Sequence, residues 1–340
     1  MKQMDGMSVR AAVFWVNRDF LMEENRAIDA LTVILRTRGC RWRACRMCGF
    51  WHESVPSVTQ DEILSQFSSA LSAAFKKGLL RRDDDFMLKI FTSGSFFDDA
   101  EITDITRMRM LDMLSEFDGL RKIIVETRPE FVSEEKLNAC ISALNEANER
   151  CFMEVAFGLE TADDFIRAKY INKGFSFEDF RNAALKVRKC GASVKVYLLL
   201  KPPFVSERAA IEDAVRSAIA VREIASTISL NLCNVQKGTF VERLWRSFMF
   251  RPPWLWSAVE AIIRIKIETE KAVISDPVGA GSRRGPHNCG KCDKNVKDAI
   301  EKFNLTQNLE HLECVRGSCT CMMIWNKLIE VDDLLFNAIP

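Results

Sequence analysis

The sequence predicts an α/β protein built on a parallel β-sheet. Three observations support this fold class: short apolar runs rich in β-branched residues recur along the chain, amphipathic stretches separate them, and the alternation repeats about six times. Strand, helix and strand in repetition are typical of right-handed crossovers within one sheet. Two architectures remain open on these grounds, an open doubly wound sheet and a full or partial (β/α) barrel. Both place ligands at the carboxyl ends of the strands.

The predicted strands are apolar without strict alternation, which is the pattern of strands buried on both faces. They span residues 31–37, 87–92, 123–127, 152–157, 194–200 and 228–232. The first helix begins at a capping box formed by Thr59 and Glu62 and ends at Gly78. Further helices are predicted over residues 101–117, after Ser133, from Ser176 to about Gly191, and over residues 207–223 and 257–271.

The pattern changes near residue 248, where Pro252 and Pro253 break the chain and a Gly- and Pro-rich loop follows one further helix. We therefore predict three regions. Residues 1–27 form an N-terminal extension, residues 28–247 form the β/α domain, and residues 248–340 form an α-rich C-terminal domain that carries a cysteine metal site.

Size, charge and the distribution of apolar residues exclude several classes of function. The 340 residues suffice for a sizeable core, and a formal net charge of +1 does not indicate a general nucleic-acid binder. No run of about 18 apolar residues is present, as a membrane span would require. Residues 1–10 lack the apolar core of a signal peptide. We therefore expect a cytoplasmic protein that is not attached to a membrane.

Twelve cysteines are the most unusual feature of the composition, and in a cytoplasmic chain clustered cysteines bind metal more often than they form disulfides. Four of them stand alone in apolar or helical surroundings and are predicted to be small buried hydrophobes: Cys140, Cys151, Cys190 and Cys233. The other eight fall into two clusters.

The first cluster, Cys40, Cys45 and Cys48, supplies three thiolates on a loop that leaves the first predicted strand. Thiolates are the natural ligands of iron–sulfur clusters. Three ligands on a cubane of four irons leave one iron open, which S-adenosylmethionine (SAM) can chelate through its amino and carboxylate groups. The alternative is a zinc knuckle with His52 as the fourth ligand, which the spacing alone does not exclude.

The second cluster lies near the C-terminus and combines a Cys-x2-Cys knuckle with three later cysteines. Four thiolates from two short segments suit a structural zinc that staples a small tail. We predict the ligands Cys289, Cys292, Cys319 and Cys321, with Cys314, His287 and His311 as alternates. A second iron–sulfur cluster is the other possibility for this site.

Polar motifs follow several predicted strands. They are the Ser93-Gly94-Ser95 stretch, Glu126, Glu160, Lys201, and Gln236 with Lys237. Because the carboxyl ends of parallel strands meet at one edge of a sheet, we expect these residues to gather beside the first cysteine cluster.

A three-cysteine loop after the first strand of a β/α repeat resembles the radical SAM superfamily. The usual spacing there is Cys-x3-Cys-x2-Cys, and this chain has one extra residue in the first gap. Further strings, taken as an ordered set, resemble the radical SAM subunit family of archaeosine synthase (RaSEA). They occupy residues 38–42, 48–51, 91–96, 126–129, 158–161, 171–175, 201–204, 234–239, 251–256 and 284–289.

The resemblance implies a partial (β/α)6 TIM-type barrel of the radical SAM kind over residues 28–247, with a small cysteine-rich C-terminal metal-binding domain. It implies a 4Fe–4S cluster and SAM as cofactors. A partner subunit of that enzyme adds lysine to the 7-deazaguanine at position 15 of archaeal tRNA, and the radical SAM lyase then cleaves the C–N bond of the adduct to form archaeosine. The implied partners are therefore tRNA, the lysine-transferring archaeosine synthase subunit and an electron donor.

The resemblance also implies roles by position. Ser93, Gly94 and Ser95 replace the superfamily's Gly-Gly-Glu stretch and would pair with the SAM amino group, while Met47 stands where an aromatic residue often packs on the adenine. Glu126 and Glu160 would accept from the SAM amino group or ribose hydroxyls, or else form structural salt bridges. Lys173 or Arg167 would pair with the SAM carboxylate, although a solvated helix face is an equal prediction for Arg167.

Substrate contacts are implied for a second set of residues. Lys201, Gln236 and Lys237 would recognise the substrate carboxylate or base. Arg41, Arg43 and Arg46 would contact tRNA phosphates, or balance the charge of the thiolate cluster.

Two competing hypotheses remain. One is another radical SAM reaction on RNA, such as methylthiolation, although no cysteine precedes Cys40 to supply the extra cluster that methylthiotransferases usually carry. The other is a non-catalytic zinc-binding RNA-binding module, which predicts zinc alone and no affinity for SAM.

Overall fold

The structure is a computed structural model that describes residues 12–81 and 84–337. Eight strands form one sheet in chain order, and every neighbouring pair is parallel except the first, which is antiparallel. The strands are β1 (Val13–Leu21), β2 (Arg26–Ile34), β3 (Phe86–Phe91), β4 (Leu120–Thr127), β5 (Phe152–Glu160), β6 (Ser193–Leu200), β7 (Thr227–Leu232) and β8 (Ala272–Ile274). The sheet curls into a half-barrel, so the partial barrel is confirmed over the doubly wound alternative.

Helices connect the parallel strands and cover the outside of the half-barrel. They are α1 (Gln60–Lys76), α2 (Asp104–Asp112), α3 (Glu134–Ala147), α4 (Phe177–Lys189), α5 (Glu207–Val221), α6 (Phe240–Arg246), α7 (Leu255–Thr269), α8 (Asp293–Thr306), α9 (Glu310–Glu313) and α10 (Cys321–Asn337). The capping box of Thr59 and Glu62 is present, and Ser133, Ser176 and Ser206 cap their helices with side-chain oxygens. No helix of the described residues is long and apolar enough to cross a membrane.

Two predicted helices begin or end elsewhere. The stretch predicted over residues 101–117 forms α2 only from Asp104, because Thr103 is the N-cap and its side chain accepts from Thr106 N. A 3-10 segment, Met113–Glu116, follows that helix. The stretch predicted over residues 257–271 is α7, which begins two residues earlier, just after Trp254.

Strands β1 and β8 were not predicted. β1 lies within the predicted N-terminal extension and pairs along its whole length with β2, from Val13 opposite Ile34 to Leu21 opposite Arg26. β8 lies beyond residue 248 and extends the sheet through pairing with β7. The main hydrophobic cluster likewise continues across residue 248, since it includes Trp256 and Phe303 together with the strands of the barrel.

The two faces of the sheet differ in polarity. The outer face packs against the helices in one large apolar cluster. The inner face carries a small apolar cluster that includes Met87, Ile124 and Ala156, and beside it lies a set of buried polar or charged residues: Asp19, Lys89, Lys122, Glu154, Lys195, Thr227 and Ser229. The lumen of the half-barrel is therefore a polar interior.

Candidate active site and metal centre

The first cysteine loop lies over the carboxyl ends of the strands. Hydrogen bonds tie it to the loops that follow three strands: Cys40 N donates to Ser93 O (3.1 Å), Arg46 N to Ile171 O (2.8 Å) and Gly49 N to Gln236 Oε1 (2.6 Å). Because the loops after β3, β5 and β7 all hold it, the cysteine loop is fixed at the open end of the lumen, as the sequence analysis predicts for the strand-end motifs.

The spacing of the thiols distinguishes the two predicted metal sites. Four cysteine sulfurs of the C-terminal tail lie within 4.8 Å of one another, whereas Cys40, Cys45 and Cys48 form no such group in the part of the chain that the structure describes. A single zinc ion needs its ligand atoms this close, because each Zn–S bond is about 2.3 Å. Thiols that bind a cubane are attached to different irons and stand further apart. In the described residues, the close grouping that a single ion requires is thus found for the C-terminal thiols and not for the three thiols of the loop.

His52 does not complete a zinc knuckle with these cysteines. Its ring stacks on Trp51 with 3.6 Å between the ring centroids. On its other side it approaches Gly238, where an added Cβ would lie 2.4 Å from His52 Nε2. The imidazole thus serves to pack the cysteine loop against the loop after β7.

Glu160 and Lys173, two predicted SAM contacts, form a buried ion pair beside the cysteine loop. Lys173 Nζ donates to Glu160 Oε1 at 2.6 Å. Gly158 makes room for the pair, since a Cβ there would lie 2.7 Å from Lys173 Nζ. Burial disfavours the charged ammonium, but the neighbouring Glu160 raises the pKa of Lys173 above its usual value. Lys173 is therefore held as an ammonium at neutral pH.

The same ammonium acts on the cysteine ligands. Burial raises the pKa of the Cys45 thiol to about 11, and among the opposing influences the positive charge of Lys173 is the largest. Burial also raises the pKa of Cys48, which Lys173 opposes as well. Because a metal ligand must be a thiolate, Lys173 favours the form of these cysteines that a metal would require.

The Ser93-Gly94-Ser95 stretch rests on Glu101, a residue that sequence reasoning missed. Glu101 Oε1 accepts from Ser95 N (2.7 Å), and Glu101 Oε2 accepts from Thr37 Oγ1 (2.6 Å). Burial raises the pKa of Glu101, although these hydrogen bonds oppose the shift. The carboxylate thus joins the start of the cysteine loop to the loop after β3. A glutamate at the first position of the predicted helix 101–117 gives no sequence signal for this role.

Arg128 is a second residue that the sequence analysis did not single out. Its backbone N donates to Ser95 Oγ (3.1 Å) and its guanidinium donates to Lys173 O (3.0 Å). The guanidinium also lies over the Trp42 ring, 5.6 Å from its centroid. Arg128 therefore links the cysteine loop, the serine loop and the loop that carries Lys173.

Glu126 lies inside the lumen and is paired with Tyr197 through a side-chain hydrogen bond. Burial raises the pKa of Glu126, with the tyrosine hydrogen bond opposing the shift. Tyr197 faces the lumen from β6. The pair lies within reach of a ligand that enters from the open end.

Arg167 and Met47 are placed within packed parts of the fold. Arg167 is fully buried, donates to the carbonyls of Thr161 (2.6 Å) and Phe175 (2.9 Å), and pairs with Asp164. It is thus not a solvated helix residue. Met47 packs against the apolar cluster beneath α6.

The predicted substrate residues differ in whether their side chains already have partners within the protein. Lys201 pairs with the buried carboxylate of Glu207, and Gln236 is engaged by Gly49 as described above. Lys237 is exposed. Of these three, Lys237 has the side chain that is open to solvent.

Arg41 and Arg43 lie on the exposed side of the cysteine loop. Arg41 Nε donates to Asp98 at 2.6 Å and stacks over Phe131. Arg43 donates to two backbone carbonyls of the same loop, at 2.6 and 2.9 Å. Both arginines therefore hold the loop while part of each guanidinium faces solvent.

The C-terminal thiols converge as predicted, and the group comprises Cys289, Cys292, Cys319 and Cys321. Sulfur–sulfur distances are 3.9 Å for Cys289–Cys292, 3.7 Å for Cys289–Cys319 and 3.5 Å for Cys292–Cys321. Such spacing fits one tetrahedral ion. Cys314, His287 and His311 lie outside this group of the described residues.

Neighbouring groups act unevenly on these thiols, since burial raises the pKa of Cys292 and of Cys321. Burial alone would raise the pKa of Cys289, but backbone N–H groups and adjacent thiols lower it to about 7. Trp256 Nε1 donates to Cys321 Sγ at 3.3 Å, and Asn288 Nδ2 donates to Cys292 Sγ at 3.4 Å. The two donors, on Trp256 and Asn288, orient the thiols and stabilise thiolate charge.

Comparisons with known proteins agree with this geometry. No protein-family model matches the chain. Archaeosine synthase subunit beta of Methanosarcina acetivorans is 45% identical over 331 residues, covering 96% of this chain and 92% of that protein. Archaeosine synthase subunit beta of Thermococcus kodakarensis is 41% identical over 325 residues, covering 93% and 96%. The solved structure of Methanocaldococcus infernus Elp3 with an N-terminal deletion shares the fold, with a TM-score of 0.52 at 20% identity, and covers 71% of this chain and 59% of that chain.

Proposed function

The chain belongs to the archaeosine synthase subunit beta family, and from that membership we propose that it is a radical SAM lyase of tRNA. Its substrate is the lysine adduct of 7-deazaguanine at tRNA position 15, and its product is archaeosine. The lysine-transferring subunit supplies the adduct, and an electron donor reduces the cluster. The observation that carries the proposal is the loop of Cys40, Cys45 and Cys48, whose thiols are too widely spaced for one ion and are fixed above a polar lumen.

Three thiolates would hold a 4Fe–4S cluster and leave one iron for SAM. When bound, the cluster and SAM would supply a 5′-deoxyadenosyl radical that takes a hydrogen atom from the lysine carbon beside the bridging nitrogen. Return of one electron to the cluster and addition of water at that carbon would then break the C–N bond, leaving the NH2 group of the formamidine on the base and the lysine carbon skeleton as an aldehyde. The protein positions the reactants and excludes water.

The ion pair of Glu160 and Lys173 suits the amino-acid end of SAM. It offers one carboxylate and one ammonium next to the cysteines, which complements the ammonium and carboxylate of the methionyl group. The Ser93–Ser95 backbone, braced by Glu101, supplies further hydrogen-bonding groups along the same edge. Glu126 would serve the SAM ribose. The tRNA phosphates would meet Arg41, Arg43 and Lys237 on the exposed side.

The second metal is proposed to be a structural zinc on Cys289, Cys292, Cys319 and Cys321. The close sulfur spacing and the four-thiolate donor set support zinc over a second cubane. This metal would fix α10 against the barrel and has no part in the chemistry.

The test is anaerobic purification, analysis of iron, sulfide and zinc, and reaction of the reduced protein with SAM and lysine-adducted tRNA. We expect about four irons per chain, with 5′-deoxyadenosine and archaeosine both formed. Cys45→Ala should lose the cluster and both products, while Cys190→Ala, a half-buried cysteine outside both sites, should retain them. Iron and 5′-deoxyadenosine without archaeosine would reject the substrate. Zinc without SAM cleavage after reconstitution would reject the enzyme and favour an RNA-binding module.

A further inference from the structure

Three buried lysines face the lumen of the half-barrel, and two of them are paired. Lys89 forms an ion pair with Asp19. Lys122 Nζ lies 2.8 Å from Glu23 and 3.4 Å from Glu154. Both lysines obey the rule that a buried charge is compensated by a partner.

Lys195 is the third lysine, and it breaks that rule. Lys195 is only 3% exposed. In the described part of the chain, no carboxylate lies within ion-pair distance of its ammonium, and its side chain forms no hydrogen bond. It pairs in register with Ala156, whose small side chain belongs to the inner apolar cluster, and its Nζ lies 5.7 Å from the Tyr197 ring centroid. Burial lowers the pKa of Lys195, and Lys89 adds to the shift.

An unpaired ammonium inside a barrel destabilises the protein unless something else compensates it. The partner of Lys195 in register on β5 is Ala156, whose inward-facing side chain is a single methyl group that offers no hydrogen bond to the ammonium. A ligand anion that enters from the open end would therefore find a cation in a low-dielectric site, where the attraction is stronger than in water.

A carboxylate completes the arrangement. Asp276 lies two residues after Ile274, the last residue of β8, which pairs in register with the inner-face residue Ser229, and its side chain forms no ion pair with any described residue. Its charge acts on both Lys195 and Tyr197. Unlike Lys195, Asp276 is exposed, as expected at the mouth of an open barrel.

We propose that Lys195 binds the α-carboxylate, and Asp276 the α-ammonium, of the lysine that is attached to the tRNA base. The proposal rests on the proposed function, because it assigns the far end of that substrate. The adduct is joined through the lysine side-chain nitrogen, so its amino-acid group is free. Lys195 lies four residues before Leu199 on β6, about 13 Å of strand, and the extended lysine skeleton reaching down from the mouth and the Lys195 side chain reaching up span this distance together.

The test compares equilibrium binding of three tRNAs to the holoenzyme. One carries the lysine adduct, one carries the 1,5-diaminopentane adduct, which lacks the carboxylate, and one carries the 6-aminohexanoate adduct, which lacks the α-amino group. Lys195→Met should raise the Kd of the lysine adduct about tenfold and leave the Kd of the diaminopentane adduct unchanged. Asp276→Asn should weaken the lysine adduct and leave the 6-aminohexanoate adduct unchanged.

Equal losses on all three tRNAs, or no loss on the lysine adduct, would overturn the proposal. Thermal unfolding supplies the control for folding: Lys195→Met should not lower Tm, whereas Lys122→Met should, because it leaves Glu23 and Glu154 unpaired. Asp276→Asn keeps the proposal testable if Lys195→Met fails to fold, since Asp276 is exposed. Failure of the proposed function is separate: the wild type would then cleave SAM without releasing archaeosine, whatever the Kd values.

Discussion

At the scale of single residues, the cysteine loop depends on one glycine. Gly174 has a φ of +81°, and a Cβ at that position would lie 2.5 Å from the Trp42 ring. Trp42 Nε1 in turn donates to Asn172 O at 2.7 Å, and Asn172 Nδ2 donates to Ala44 O at 2.9 Å. Residues 171–175 therefore hold the middle of the cysteine loop in place through these contacts. This role explains why the string appears among the motifs named in the sequence analysis.

Gly174→Ala should weaken the contacts between residues 171–175 and the cysteine loop, because the added methyl group displaces Trp42. It should therefore lower the iron content of the reconstituted protein by at least half. Iron analysis after anaerobic reconstitution measures the effect. Gly191→Ala is the matched control: Gly191 has a φ of +90° and nothing within 4 Å of an added Cβ, so it carries the backbone strain of about 1 kcal/mol without the clash. Equal iron in the two variants would contradict the account.

The residues of the site differ in how visible they are in the sequence. Cysteine spacing is a local property, so both metal sites can be read from it, and the structure gathers the four predicted C-terminal thiols. Glu101 and Arg128 act through contacts with residues far along the chain, and an isolated glutamate or arginine gives no local signal. Lys195 looks like one polar residue in an apolar strand, and only the absence of a partner in the fold distinguishes it.

At the scale of elements, α8 covers the free edge of the sheet. Asn304 exchanges two hydrogen bonds with the backbone of Ser275 (2.9 and 2.8 Å), and Gln307 exchanges two with the backbone of Val273 (2.9 and 2.8 Å). The two amides thus stand in for a ninth strand and satisfy the edge groups that an open sheet leaves unpaired. The same helix also contacts β1 and β2, so it bridges the opening of the half-barrel.

Asn304→Leu should lower the free energy of unfolding by about 2 kcal/mol, because it leaves a buried N–H and a buried C=O of Ser275 without partners. Denaturant unfolding monitored by circular dichroism checks this. Lys302→Ala, an exposed position on the same helix, should change the value by no more than about 0.5 kcal/mol. If Asn304→Leu lowers the free energy of unfolding no more than the control does, the hydrogen bonds from Asn304 do not stabilise the edge of the sheet.

The elements that sequence reasoning found are the long, apolar ones between capped helices. β8 has three residues, too few for a periodic pattern. Its parallel pairing with β7 depends on the crossover connection that contains α7. β1 carries apolar residues over 13–16 and 20–21, a strand signal that the sequence analysis did not use, but the polar residues Asn17, Arg18 and Asp19 interrupt the run. Its place in the sheet follows from pairing with β2, a tertiary property.

At the scale of the whole molecule, an apolar shell surrounds a polar lumen, and the C-terminal segment closes the shell. Cys321, one of the four clustered C-terminal thiols, begins α10, and Asp332 on that helix accepts from the first N–H groups of α5. Trp325 Nε1 donates to Ser257 Oγ at 2.8 Å. The cysteine cluster therefore determines where α10 docks on the barrel.

Removal of the second metal should lower the stability of the whole chain. Cys319→Ala should lose about one zinc per chain and lower Tm by several degrees, because the ligand set then has three thiolates. Cys314→Ala, an exposed cysteine five residues earlier, should retain both the zinc and the Tm. Metal analysis with differential scanning calorimetry measures both. Zinc retained by Cys319→Ala, or lost by Cys314→Ala, would assign the ligands differently.

The central claim is that the protein uses SAM to remove hydrogen from the lysine carbon beside the bridging nitrogen. The most direct measurement is mass spectrometry of the 5′-deoxyadenosine formed from tRNA whose lysine adduct carries deuterium at that carbon. We expect one deuterium in 5′-deoxyadenosine, together with release of archaeosine, and neither product from the Cys45→Ala variant. Archaeosine formed alongside unlabelled 5′-deoxyadenosine would contradict it.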